Sequence, residues 1–123
     1  MINKNNFNIK NLKKINVCGI PFGFEGYVIN KVFEINQKNI IYLAKDDKDA
    51  EIIKNSLLFF NPKIEVMNFP AWDCLPYDRS GPRLKIQSER MTFLSKLCQH
   101  SCSKKIIIAT VNAITQRVIP KTH

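Results

Sequence analysis

The chain has 123 residues, with 19 Lys+Arg against 10 Asp+Glu and a formal net charge of +9. That length suits one domain, and 45% hydrophobic with 24% charged residues is a globular composition, not a disordered or fibrous one. No apolar run approaches the ~18–20 residues of a membrane-spanning helix. The amino terminus, Met1-Ile2-Asn3-Lys4-Asn5-Asn6, lacks the apolar core of a signal peptide, so a cytoplasmic location is expected.

Residues 1–14 read as an Asn- and Lys-rich arm in which Phe7, Ile9 and Leu12 are the only large apolar side chains. From residue 15 to 123 the pattern is that of a single α/β domain. Ile15–Ile20 is a short apolar run closed by Gly19 and Pro21, which predicts a buried strand with Cys18 as a small core residue. Phe24–Asn36 places Tyr27, Val28, Val32, Phe33 and Ile35 for a helix packed on a sheet. Asn39–Ala44 predicts a second buried strand.

Asp46 and Asp47 then cap a helix that ends before Pro62, because their carboxylates satisfy free amides of the first turn. Its core stripe is Ala50, Ile53, Leu57 and Phe60. Ile64–Asn68 predicts a third strand. Leu84–Gln99 predicts a helix with Ile86, Leu94 and Cys98 in one row, widened by Phe93 and Leu97. Arg90 falls in that row, so it either snorkels or makes a polar contact under the sheet. Lys104–Val111 predicts the clearest strand, and Asn112 begins a short helix that stops before Pro120. Four strand–helix units in succession predict an open, mostly parallel sheet with flanking helices and right-handed crossovers. With no strand or helix after Pro120, the layer is expected to be unfinished at its carboxyl-terminal boundary.

Ligands of open α/β folds bind at the carboxyl ends of the strands. The first such loop is Gly19-Ile20-Pro21-Phe22-Gly23-Phe24-Glu25-Gly26. Laid on the phosphate-loop pattern G-x-x-x-x-G-K-[ST] from Gly19, it puts Phe24 at the second Gly, Glu25 at the Lys and Gly26 at the Ser/Thr. Phe24 adds bulk where backbone must approach phosphate, Glu25 replaces a cation by an anion, and Gly26 has no hydroxyl for magnesium. The loop is expected to be a tight strand–helix turn that holds no ATP and no other cofactor.

No catalytic set is legible. His100 and His123 lack a Ser or Cys partner in context, and the loop carboxylates Asp73 and Asp78 read as backbone caps. Cys98-Gln99-His100-Ser101-Cys102 holds three possible metal ligands, but no second half of a zinc site exists among the four cysteines, so no metal is expected. The positive charge favours an acidic partner such as DNA. The lysines nevertheless are scattered along the whole chain, from Lys4 to Lys121, and do not gather on one helix face.

Phe69-Pro70-Ala71-Trp72-Asp73-Cys74-Leu75-Pro76-Tyr77-Asp78 carries the only tryptophan and opens a Pro-rich loop where a strand hands over to a helix. With Ser80 and Pro82, then Ser88-Glu89-Arg90, it closely resembles the amino-terminal region of the bacterial transcription-repair coupling factors (the Mfd family). Thr110-Val111-Asn112-Ala113-Ile114, with Gln116-Arg117-Val118, is similar to the same family, as are Gly19-Ile20-Pro21 and Asp46-Asp47 with Leu58-Phe59-Phe60. The resemblance covers about residues 15–120.

It implies a UvrB-like, RecA-like first domain with a degenerate phosphate loop. It also implies a parent protein that displaces stalled RNA polymerase by ATP-driven translocation on DNA and recruits UvrA for nucleotide excision repair. On that resemblance the ATP and magnesium of the motor, the polymerase contact and the main UvrA surface lie in the parent's other domains. This part of it is expected to be a non-catalytic scaffold. Trp72, Leu75 and Tyr77 are then expected to pack against the sheet or a neighbouring domain, while Arg79, Arg83 and Lys85 are the candidates for DNA or partner contact. The alternatives are a free-standing basic module that binds nucleic acid and an active phosphate-loop ATPase.

Overall fold

The computed structural model describes residues 14–74, 79, 81–99 and 103–118. Its elements in chain order are α1 (Glu25–Asn36), β1 (Ile40–Ala44), α2 (Asp47–Phe60), β2 (Glu65–Phe69), α3 (Leu84–Cys98), β3 (Lys105–Thr110) and α4 (Val111–Thr115). The three strands form an open parallel sheet in the order β1-β3-β2. Ile40 stands beside Ile106 and Ala44 beside Thr110 on one side of β3; Glu65 and Phe69 flank Lys105 and Ala109 on the other.

β3 holds the centre because each of its six residues is buried. Alternate side chains of a strand face opposite ways, and β3 feeds two cores. Ile106 and Ile108 join Ala44, Ala50, Ile53, Leu57 and Ile64 under α2, with Ile29 and Phe33 of α1 packed on the outside. Ile107 and Ala109 join Met67, Phe69, Phe93 and Ala113 under α3 and α4. The crossover from β1 through α2 passes over β3 to β2, and α3 returns on the opposite face. Two moves in opposite directions with helices on opposite faces share one hand, as parallel crossovers require.

Local chemistry explains the element ends. Asp46 accepts a hydrogen bond from the Asp49 amide at 2.8 Å and caps α2. Thr110 does the same for α4 through the Ala113 amide at 3.3 Å. α1 closes on Gln37 in the left-handed region (φ 55°), whose amide donates to Phe33 O at 3.0 Å. At the sheet's amino end the Lys105 amide donates to Asn39 Oδ1 at 3.0 Å, and its ammonium lies 3.5 Å from Glu65 Oε1. Ser103 donates to Glu65, and that hydrogen bond, before the nearby lysines, holds the Glu65 carboxyl below its ordinary range.

Several expectations are corrected. Residues 15–20 form no strand, and Ile15, Val17 and Cys18 are exposed, because none of the described strands lies beside them and a strand needs a ladder partner. Three described strands, not four, make the sheet. β1 is only half-buried: Ile41 and Leu43 are 65% and 51% exposed on the face that α3 and α4 cover elsewhere. β2 begins one residue later than predicted and runs on to Phe69. The row on α3 is buried at Arg90 and Phe93 but not at Leu97 or Cys98, where the helix has passed beyond the sheet. Phe60 is half-buried at the end of the α2 stripe.

Candidate functional site

The loop before α1 turns on Gly19 (φ 73°) and Gly23 (φ 85°), a backbone region that glycine enters without a Cβ penalty. The Phe24 amide donates to Pro21 O at 3.0 Å, closing a turn with Gly23 at its third position. Ser56 of α2 donates its hydroxyl to Gly23 O at 2.7 Å and pins the turn. Gly26 is buried where α1 crosses α2: a Cβ there would stand 2.3 Å from Ser56 Oγ and 2.7 Å from the Ser56 carbonyl carbon. The Phe24 ring, half exposed, leans on Phe60 at 5.8 Å between centroids.

Glu25 opens α1, and its Oε2 is buried without a hydrogen-bond partner. Tyr42 ionises above its ordinary value, first because it is buried and then because the Asp49 and Glu25 carboxylates oppose a phenolate. The loop Gly19–Gly26 holds no basic side chain, and Glu25 sets a carboxylate beside the first-turn amides of α1 that would otherwise favour an anion.

The Pro-aromatic loop is anchored from below by Arg90. Its side chain is fully buried, and its guanidinium lies 4.3 Å from the Phe69 ring centroid and 4.5 Å from that of Trp72. Such stacking is the contact that a planar, weakly hydrated guanidinium favours. Nη1 donates to Pro70 O at 2.7 Å and approaches Gln116 Oε1 at 3.4 Å. Gln116 Oε1 also accepts the Trp72 amide at 2.7 Å, so one residue past α4 is tied to the same loop. Nη2 is buried without a partner, and loss of water lowers the Arg90 pKa from its ordinary value. No carboxylate pairs with this cation among the described residues.

Trp72 is half-buried in this arrangement; Leu75 and Tyr77 lie outside the described residues, as do Asp78, Cys102, His100 and His123. Arg79 is exposed. Arg83 is paired with Asp73, Nε to Oδ2 at 3.2 Å, and its amide donates to Asp73 Oδ1 at 3.2 Å. Lys85 lies 3.9 Å from Glu89 along α3. Two of the three basic candidates thus already face a carboxylate. No group of three metal-ligating side chains occurs among the described residues.

Sequence reasoning passes over Ser56 and reads Gln116 only as part of the family resemblance, with no structural role. Neither belongs to a chemical motif, and each acquires its role from a partner 33 to 44 residues away. Gly26 was read for the hydroxyl it lacks; its place in the fold is the close approach of two helices.

Among known proteins, the chain is similar to transcription-repair-coupling factors. It is 31% identical to that of Rickettsia prowazekii (strain Madrid E) over 73% of its own length and 8% of the relative's. It is 28% identical to that of Haemophilus influenzae over 82% of the chain and 9% of the relative, and 28% identical to that of Escherichia coli K12 over 76% and 8%. The chain therefore spans about a twelfth of the length of the curated relatives it matches, and it is related to one region of them. No family model and no solved structure matches it.

Proposed function

We propose that this chain is a nucleotide-independent scaffold, equivalent to the UvrB-like first domain of a transcription-repair coupling factor. In that reading the whole protein displaces stalled RNA polymerase by ATP-driven translocation on DNA and recruits UvrA to the lesion. Polymerase, UvrA and ATP with magnesium are engaged by other domains, and this one supplies a rigid α/β seat against which they pack. The similarity to coupling factors over three quarters of the chain supports the setting.

The observation that carries the nucleotide-independent part is the head of α1. A phosphate loop needs a cation and a hydroxyl at two consecutive positions. Here the first is Glu25, an anion with a buried, unpartnered oxygen, and the second is Gly26, where even a Cβ would collide with Ser56. A serine cannot be accommodated at that crossing without parting α1 from α2. The close packing of α1 on α2 at Gly26 supports a loop that holds no nucleotide.

Titration with a fluorescent ATP analogue and magnesium tests this directly. The expected outcome is no saturable signal at micromolar concentrations; saturable binding that magnesium strengthens would sink the reading. The scaffold part is tested by adding the chain in trans to the Escherichia coli relative lacking its matching segment. Co-elution is expected, and its absence with both proteins folded would separate this chain from that role.

A further inference from the structure

Arg90 is 2% exposed, and its Nη2 is buried with no hydrogen-bond partner. A cation taken out of water without an anion is costly, and folded chains ordinarily pair it. The rings of Phe69 and Trp72 lie against the guanidinium but offer its N–H groups no oxygen. Pro70 O accepts from Nη1 at 2.7 Å. The other acceptor in reach, Gln116 Oε1, is taken by the Trp72 amide at 2.7 Å and stands 3.4 Å from Nη1. The site is short of acceptor oxygens. Its acidic neighbours in the chain do not supply them, because Asp73 pairs with Arg83 and Glu89 with Lys85.

We propose that the Arg90 guanidinium is a socket for one carboxylate from outside this chain, which enters by displacing the Gln116 amide. The carboxylate is carried by an acidic side chain of a partner or by a free small acid. It brings two acceptor oxygens where the Gln116 amide has one, so it can serve the Trp72 amide and Nη2 together, by charge-assisted hydrogen bonds. The displacement breaks few contacts. Gln116 is half-buried just past α4, and Arg117 and Val118 after it are exposed with no hydrogen bond or ion pair. Trp72, on the other side of the shared oxygen, is half-buried too.

Shape and charge favour a carboxylate over a phosphate. A planar carboxylate can lie in the plane of the guanidinium. A tetrahedral phosphate would turn oxygens toward the Phe69 and Trp72 rings, whose faces are negative.

The single tryptophan makes the test direct. Acetate, and the peptide acetyl-Ala-Glu-Ala-amide, are titrated into the intact chain at constant ionic strength held with sodium chloride. Trp72 emission and the amide signals of Trp72 and the Gln116 side chain are followed. A saturable change with a midpoint of roughly millimolar is expected. Acetamide and acetyl-Ala-Gln-Ala-amide should change nothing. A lower midpoint for the Glu peptide than for acetate supports the socket with a protein side chain as its source; equal midpoints support it with a small acid.

Gln116→Ala should bind acetate about tenfold more tightly, since no amide has to leave. Gln116→Glu supplies the carboxylate from within the chain and should abolish the response, as should Arg90→Met, which keeps most of the buried volume. No saturable response of the unaltered chain would overturn the proposal. So would an equal response to acetamide or to inorganic phosphate, or a response that survives Arg90→Met. If a variant does not keep the wild-type circular dichroism melt, acetate against acetamide on the unaltered chain still decides the question.

Discussion

Arg90 shows what a single residue does when the fold leaves it no water. It is a cation without an anion, held by two aromatic faces and one carbonyl, with one nitrogen unsatisfied. Its volume and its hydrogen bond to Pro70 should matter more than its charge. Arg90→Ala empties a large buried site and strands the Pro70 carbonyl, so it should cost about 3 kcal/mol in urea unfolding. Arg90→Met keeps most of the volume and discards a buried unpaired charge, so its cost should be about 1 kcal/mol. A methionine variant as unstable as the alanine one would mean that the charge itself holds the loop.

The periodicity of α3 put Arg90 on the buried row, but the two outcomes, snorkelling or a polar contact, could not be told apart from sequence. The choice depended on Pro70, Trp72 and Gln116, which are 20, 18 and 26 residues away in the chain. Glu25 is the opposite case. Its sign was visible at once, because charge at a motif position needs no tertiary partner to be read. What the structure added there is the buried, unpartnered oxygen and the blocked space at Gly26.

At the scale of elements, local chemistry was most legible where a residue acts on its own neighbours. Asp46 caps α2 through an amide three residues on, and Asp46→Ala should lower stability by about 1 kcal/mol, read from thermal or urea melts. Asp46→Asn should retain most of the cap, which separates hydrogen bonding from the helix dipole. β3 was legible for a different reason: a continuous apolar run must be buried on both faces, and the centre of the sheet is where that happens.

Residues 15–20 have a similar apolar run and form no strand. Hydrophobic pattern states what a segment could bury, not whether a neighbour arrives to bury it. The same limit explains β1. Its apolar run reads as a fully buried strand, but Ile41 and Leu43 are exposed because α3 and α4 sit over β2 and β3 and do not reach across.

For the whole molecule these exposed groups have a common consequence. Ile41 and Leu43 on β1, together with Ile15 and Val17, leave apolar surface in water at the β1 side and in the unpaired segment. Contiguous patches of this kind drive association. The chain should therefore show a concentration-dependent mass in sedimentation, and Ile41→Lys with Leu43→Lys should reduce it. A monodisperse monomer of the unaltered chain would count against that expectation.

By itself the sequence determined the α/β alternation, the cap of α2, the central strand, the anion at the head of α1 and the likeness to coupling factors. Each of these is set by residues close together in the chain or by a motif that can be matched letter by letter. Only the tertiary structure decided that Gly26 is a helix crossing, that Arg90 is a buried anchor tied to Gln116, and that Ile41 and Leu43 of β1 stand exposed. Those features belong to pairs of surfaces, and a surface has no partner until the chain has folded.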